Sequence, residues 1–427
     1  MGAGKPLTIG TGTSVVVERC QVCDYPDLEP VLFLGYLPPV NAMPRIGAPP
    51  EEQPSYPANL LRCPRCSLVQ LGLIVDPKVL FPPDYPYTSG TTKSLRDNFA
   101  ELARECPTIA ALGPEDLVVD IGSNDGTLLS QFAPRSRVLG VEPTNAGELA
   151  NERGLLTLRA FFSREVAEQV RAEHGPAKVV TATNVFAHIE DVHEIVEGIV
   201  TLLDDRGVFI SESHYLLSLI ETLQYDTIYH EHLRYYSLQS LAFLLERHGL
   251  SVIHAKRIPT HGGSIRIYAA RRGAYPVRET VGAMQREEER AALDTQALAA
   301  FKQRVVLSKL SLYALLHGAK REGARIVGIG APSRASTLIN YVGLDDGILE
   351  YVCEIRGSHK IGKYMPGTRI PVVEESRLFE EQPDYALLFS WHIAEELIPK
   401  LTERGYRGRF IVPLPSPQVI HHEPAGR

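Results

Sequence analysis

From about residue 115 the chain reads as short apolar runs of strand length set between amphipathic stretches. The runs are DLVVD (116–120), RVLGVE (137–142), KVVTATN (178–184) and GVFISES (207–213), and SREVAEQVRAE (163–173) is typical of what separates them. A strand covered on both faces needs a nearly continuous apolar run, and a 3.6-residue period supplies the covering helix. The alternation predicts an α/β fold with a parallel, doubly wound sheet. A mostly helical, charge-laced connector over about 279–323 leads to a second set, RIVGIG (325–330), LEYVC (349–353), DYALLFS (384–390) and RFIV (409–412). Residues 1–75 show neither period and carry a run of prolines (38, 39, 44, 49, 50, 54 and 57) that reads as irregular loop. Three parts are therefore expected: a small module over 1–75, a doubly wound domain over 76–285 and a second α/β domain over 286–427.

So little periodicity in the first part calls for a staple. Two cysteine pairs supply one: C20-Q-V-C23 and C63-P-R-C66. Each CxxC lets two thiolates grip one ion from a single turn, and two such turns close a tetrahedron. Neither pair sits at a helix start after a strand, where a redox dithiol is found. Cys20, Cys23, Cys63 and Cys66 are read as ligands of a structural zinc, and Cys106 and Cys353 as packing residues.

The length of 427 residues suits two or three domains. A net charge of −7 argues against a dedicated nucleic-acid protein. No stretch approaches the roughly 18 uncharged apolar residues of a membrane span. The start, MGAGKPLTIGTG, lacks a hydrophobic signal core, so a cytoplasmic location is expected, with no membrane partner. The oligomeric state stays open, with a monomer as the default.

Two glycine turns differ in their use. In D116-L-V-V-D-I-G-S-N-D-G126 a buried strand ends at Asp120 and Gly122, with Asn124 and Gly126 in the turn, and Glu142 closes the next strand. A carboxylate there can accept hydrogen bonds from both ribose hydroxyls of a nucleoside ligand. GSNDG lacks the GxGxxG spacing that brings a helix N-terminus onto a pyrophosphate, so a ligand with ribose and no phosphate fits better. S-adenosylmethionine is such a ligand, and D120-I-G…G126 with Glu142 resembles the class I methyltransferases. The second turn, G328-I-G-A-P-S-R-A335, offers backbone N–H groups and Arg334 as a cradle for a diphosphate.

N184-V-F-A-H-I-E-D191 and Y225-D-T-I-Y-H-E-H-L-R-Y-Y-S237 follow strand ends, where loops carry function in open α/β sheets. On a helix, the i, i+2 spacing of His230 and His232 points the rings apart; on an extended segment they could share a metal. With the two CxxC pairs, DIGSNDG, NVFAH, YDTIYHEH, H261-G-G-S-I-R266, GAPSRASTLINY and K360-I-G-K-Y-M-P-G-T-R-I-P371, the chain resembles, over nearly its whole length, the nucleotide-sugar C-methyltransferases that branch deoxysugars of antibiotics and surface glycans. The resemblance implies a zinc-binding N-terminal domain, a Rossmann-like class I methyltransferase domain and a C-terminal α/β domain that helps hold the nucleotide sugar.

It also implies that a methyl group passes from S-adenosylmethionine to a carbon, C3 first among the choices, of a 4-keto-6-deoxysugar linked to a nucleoside diphosphate. Methylation at C5 or at oxygen, or a non-catalytic binding role, are the alternatives. Such a carbon must first lose a proton α to the ketone, which calls for a base and for donors to the enolate oxygen. On this pattern His232 is the base, Tyr229 and Glu231 are its active neighbours, His188 donates to the ketone oxygen, and Tyr87 or Tyr85 reaches in from the segment after the zinc module. Asn184 joins Asp120, Gly122, Asn124, Gly126 and Glu142 around the cofactor. His261, Ser264, Arg266, Ser333, Arg334 and Lys360 are the expected contacts to the nucleotide sugar.

Overall fold

The computed structural model describes residues 6–9, 12–49, 51–80 and 93–421. Tyr85 and Tyr87 lie outside the described residues. The N-terminal part contributes β1 (Pro6–Ile9), β2 (Gly12–Val16), β3 (Glu29–Leu37), β4 (Tyr56–Arg62), β5 (Val69–Leu71) and β6 (Leu73–Ile74). The middle part contributes β7 (Leu117–Ile121), β8 (Arg137–Val141), β9 (Thr157–Leu158), β10 (Ala177–Thr183), β11 (Leu203–His214), β12 (Arg234–Tyr235), β13 (Leu250–Ile258) and β14 (Ser264–Arg271). The C-terminal part contributes β15 (Ile326–Ile329), β16 (Val352–Glu354), β17 (Val372–Glu374), β18 (Tyr385–Leu388), β19 (Arg409–Val412) and β20 (Gln418–Ile420).

The middle sheet runs β13-β14-β11-β10-β7-β8-β9, parallel from β11 to β9 and closed by the antiparallel pair β13 and β14. All five residues of β7 are buried, as its unbroken apolar run requires. The C-terminal sheet runs β17-β16-β15-β18-β19-β20 and is parallel except for β20. In each sheet the first strand lies between its successor and a later strand, β7 between β8 and β10, β15 between β16 and β18. Ligands of open α/β sheets bind at such a reversal, beyond the carboxyl ends of the strands. The helix Glu279–Ala291 packs on β13, so the turn at 292–294 separates the middle elements from the 27-residue helix Thr295–Arg321 that leads into the last sheet.

The N-terminal part is not self-contained. Its second sheet runs β12-β5-β4-β3, and β12 comes from the tyrosine–histidine segment of the middle part. Arg234 stands opposite Gln70 and Tyr235 opposite Val69. The cores merge accordingly. Leu34, Leu60 and Leu71 share a cluster with the C-terminal domain, while the four zinc-pattern cysteines lie in the core cluster of the middle sheet.

Arg266 is not available to a substrate, contrary to the sequence expectation. Its guanidinium is fully buried beneath the helix Lys93–Glu105, with Nε on Glu212 at 2.6 Å, Nη1 on Glu101 and Glu105 at 2.6 and 3.1 Å, and Nη2 on Asn98 Oδ1 at 2.8 Å. Its charge and its donors are spent on holding that helix to β11 and β14. Arg266→Met leaves Glu212 buried beside Asn98 without its cation, and should cost about 3–5 kcal/mol in urea unfolding of the zinc-loaded protein.

Candidate active site and metal centre

The four cysteine Sγ atoms lie within 4.8 Å of one another and all four residues are buried. Cys20 and Cys66 approach to 3.5 Å and Cys23 and Cys63 to 3.4 Å, near the edge of about 3.7 Å expected of a tetrahedron with Zn–S bonds of about 2.3 Å. The N–H groups of Val22 and Cys23 both donate to Cys20 Sγ at 3.4 Å, which stabilises a thiolate. The donor set is closed and soft, and fits a structural zinc. Among the described residues it is the one group of three or more such ligands at metal-binding distance. His230 and His232 do not form another: Nε2 of His230 turns to Pro57 O at 3.3 Å, and Nδ1 of His232 turns to Thr227 O at 2.8 Å.

At the reversal of the middle sheet the turn after β7 is built as the sequence suggests. Gly122, Asn124 and Gly126 all have positive φ (68°, 52° and 75°). A Cβ on Gly122 would meet Val185 at 2.6 Å, so the strand end and the loop after β10 can close up only with glycine there. Glu142 Oε2 accepts from Asn124 N at 3.0 Å and Oε1 from Thr144 N at 2.8 Å, which aims the carboxylate at the turn. Asp120 forms the floor: it is buried, bonded to Thr181 Oγ1 at 2.6 Å, and burial pushes its carboxyl up to about 7. Asn184 is held at φ 58° with its N–H on Glu212 O, and its buried Oδ1 has no partner among the described residues. An orphan acceptor beside a glycine turn and a carboxylate suits the ammonium and ribose ends of S-adenosylmethionine.

Histidines converge at the neighbouring strand ends. The His232 ring lies 4.9 Å from His188, 4.7 Å from His214 and 4.1 Å from Tyr229, and His214 lies 5.6 Å from His261. Burial is the first cause of every shift: it drives His232 and His214 well below the usual imidazole value and His188 and His261 down to about 4, and pushes the Tyr229 hydroxyl well up. All four imidazoles are neutral near pH 7 and Tyr229 keeps its proton. Because His232 Nδ1 donates to Thr227 O, its Nε2 presents a lone pair, which is the tautomer a base requires. The Glu231 backbone acts on His188 in the sense that raises its pKa, against the larger effect of burial.

Two loops are laced together here by residues that sequence reasoning passed over. The fully buried Arg234 donates to Ile189 O at 2.5 Å and Glu190 O at 2.6 Å, and Leu233 N donates to Ala187 O at 2.8 Å. Asn41, from the N-terminal part, donates to Glu231 Oε1 at 2.8 Å. The exposed-looking RYY and the lone Asn41 give no signal in sequence, since their partners lie 44 and 190 positions away.

The C-terminal sheet repeats the turn that follows β7. Gly122 N donates to Val141 O and Gly330 N to Cys353 O, both at 2.8 Å. Glu354, ending β16 as Glu142 follows β8, accepts from Ala331 N and Ile355 N, each at 3.1 Å. Gly330 has φ 79°, and a Cβ there would meet Ser390 after β18 at 3.0 Å. Ser333 opens the following helix, and Lys360 Nζ donates to Ala331 O at 2.6 Å, with Glu354 and Glu231 both acting on its charge. Arg334 is less free than expected. It is buried against Trp391, 3.6 Å from Asp226, and bonded to His392, Gln224 Oε1 and His261 O. It ties the C-terminal helix to the middle part, and its charge acts on His214, His232 and His261. Ser264 is likewise internal, its Oγ on Thr260 O at 3.0 Å.

Comparison with known proteins decides the family. C-methyltransferase NovU of Streptomyces niveus is 35% identical over 417 residues, 95% of this chain and 98% of that protein. This chain belongs to the C-methyltransferase family. Family models agree part by part: "Putative zinc binding domain" over residues 20–81, "Methyltransferase domain" over 92–255 and "C-methyltransferase C-terminal domain" over 259–415. Among solved structures, magnesium protoporphyrin IX methyltransferase of Synechocystis PCC 6803 with bound S-adenosylmethionine shares 14% identity, covering 41% of this chain and 79% of its own at a TM-score of 0.32. An S-adenosylmethionine-dependent methyltransferase of Clostridium acetobutylicum shares 13%, covering 43% and 94% at 0.33. Both likenesses are too slight to argue from. This C-methyltransferase is an enzyme that depends on S-adenosylmethionine, and it carries a zinc-binding module. No helix among the described residues is long and apolar enough to cross a membrane.

Two outcomes follow from this geometry. Glu142→Ala should weaken S-adenosylmethionine binding on the order of 10–100-fold by calorimetry, the worth of hydrogen bonds to a charged acceptor. Cys63→Ser should lose the zinc measured by metal analysis and, because β5 carries β12, should lower methyl transfer as well. Zinc content near zero with full activity would contradict the second.

Proposed function

We propose that the C-methyltransferase acts on a 4-keto-6-deoxysugar carried by a nucleoside diphosphate and methylates the carbon α to the ketone at C3. The observation that carries the reading is a buried, neutral His232 with its proton committed to Thr227 O and its other nitrogen turned toward a ring of polar aromatic groups. A hydroxyl acceptor needs little more than a base. An enolate needs a water-poor pocket with a base and neutral donors together, and that combination is what Tyr229 and the histidines supply.

In this reading His232 Nε2 takes the α-proton, the C–H pair moves into the bond to the ketone carbon, and negative charge gathers on the oxygen. Tyr229, its hydroxyl kept protonated by burial, donates to the sugar. Glu231, pinned by Asn41, fixes the turn that presents both. Asp120, Gly122, Asn124, Gly126, Glu142 and Asn184 surround the cofactor, which supplies a methyl group on a sulfonium leaving group. The second glycine turn, with Ser333, Lys360 and Glu354, is where the nucleoside diphosphate is held, because it reproduces the acid-and-glycine arrangement used for a ribose in the middle sheet. His261 stands between the two turns.

Mass spectrometry of products from thymidine-, guanosine- and cytidine-diphospho-4-keto-6-deoxysugars should show a 14 Da gain on one of them, and NMR should place the new carbon on C3. A methyl ether, or no gain on any of the three, would sink the reading. His232→Asn should lower kcat about 10²–10⁴-fold while leaving S-adenosylmethionine affinity unchanged. The pH profile follows in sign. A base must be deprotonated, and the folded-state pKa of His232 lies well below 6.5, so kcat/KM should hold as pH falls through 6.5 and decline only at distinctly more acid pH. An acid limb centred near 6.5 would assign the base elsewhere.

A further inference from the structure

We infer that His214 is the hydrogen-bond donor to the oxygen that becomes the enolate, a catalytic residue for the reaction just proposed and dependent on that reading. His214 ends β11, the strand next to β10 in the middle sheet. Its backbone is fixed by pairing with Ser264 across β14, and Glu212, two residues earlier on the same face, is locked by Arg266. The side chain thus projects from a rigid strand end rather than from a loop.

The histidines differ in where each imidazole proton goes. His232 gives its N–H to Thr227 O, and His188 lies beside the Glu231 backbone rather than at the strand end. His230 turns away to Pro57 O, and His392 accepts from Arg334 through Nδ1. The ring of His261, without a hydrogen bond among the described residues, contacts His214 and makes no ring contact with the base His232. His214 makes ring contacts with His232 and His261 but no hydrogen bond from its ring among the described residues. It is half-buried rather than sealed in the core.

Distance supports the pairing of roles. A base nitrogen about 3 Å from the α-carbon and a donor about 3 Å from the ketone oxygen must stand one small group apart. Ring centroids 4.7 Å apart meet that condition for His232 and His214. The charged and titratable groups around His214 are His232, His261, His188 and Arg334. All of them are neutral or cationic, so nothing facing it competes for its proton as an acceptor carboxylate would. A neutral imidazole beside a cationic field is a good donor to developing negative charge, as in isomerases that polarise a carbonyl with uncharged histidine.

The test uses the full-length, zinc-loaded enzyme with the 4-ketosugar nucleotide from the three-member panel on which the wild type shows activity. Deuterium wash-in at the α-carbon in D2O, with S-adenosylhomocysteine in place of the methyl donor, reads enolate formation apart from methyl transfer. His214→Phe keeps the ring packing against His232 and removes both nitrogens. It should slow wash-in and kcat together by about 10²–10³-fold, the usual loss for one oxyanion donor, with S-adenosylmethionine affinity unchanged. His214→Asn returns an N–H on the same strand end, and should exchange at least ten-fold faster than His214→Phe. Wash-in by folded His214→Phe within about three-fold of wild type, or equal rates in the two variants, overturns the role of His214 alone. A wild type that neither exchanges nor methylates any of the three sugars overturns the reading beneath it as well.

Discussion

The pairing of β12 with β5 is the constraint on which the active end of the molecule depends. It takes a two-residue strand, Arg234–Tyr235, out of the segment that carries Tyr229, Glu231 and His232, and lays it on the sheet of the zinc module. Leu71 N also donates to Leu233 O at 2.9 Å, so the hold extends into the turn itself. A segment of mostly irregular backbone could not otherwise keep its peptide groups buried and satisfied. The cysteine quartet sits just before β5, with Cys63 and Cys66 leading into it. Metal chemistry in the first 75 residues is thereby converted into the position of an imidazole near residue 232. This explains why a module with no open coordination site accompanies a methyl-transfer domain.

Around that hold the chain uses one solution twice. In both large sheets the first strand ends in a glycine of positive φ whose N–H bonds the carbonyl before an acid, and the acid caps the turn. The tyrosine–histidine segment is held from both sides of the chain. Arg334 and Trp391 from the C-terminal side reach Asp226 at the start of that segment. Asn41 and Pro57 reach its middle from the zinc module. Three parts of the chain therefore converge on a dozen residues.

The electrostatics of the cluster follow from burial more than from partners. Four imidazoles packed ring to ring beside an arginine cannot carry charge, since each protonated ring would raise the cost of the next. They remain neutral, and hydrogen bonding then sorts them by tautomer. His232, tied to the Thr227 carbonyl, presents a lone pair, while the ring of His214 is untied among the described residues.

Much of this was legible in the sequence because it depends on neighbours along the chain. CxxC spacing, the strand-and-helix alternation and the glycine turns each act within a few positions, and local sterics enforce them. Glu142 stands at a strand end, where its carboxylate faces the neighbouring turn. What the sequence could not disclose depends on partners far apart. Arg266 looked like a phosphate ligand until Glu101, Glu105 and Glu212 closed around it. His214 and Asn41 carried no motif at all. Residue type sets what a side chain can exchange with a ligand, and that much is written locally. Whether the protein itself has already used that capacity is decided only when distant strands meet, because a hydrogen bond, once made inside, is no longer offered outside.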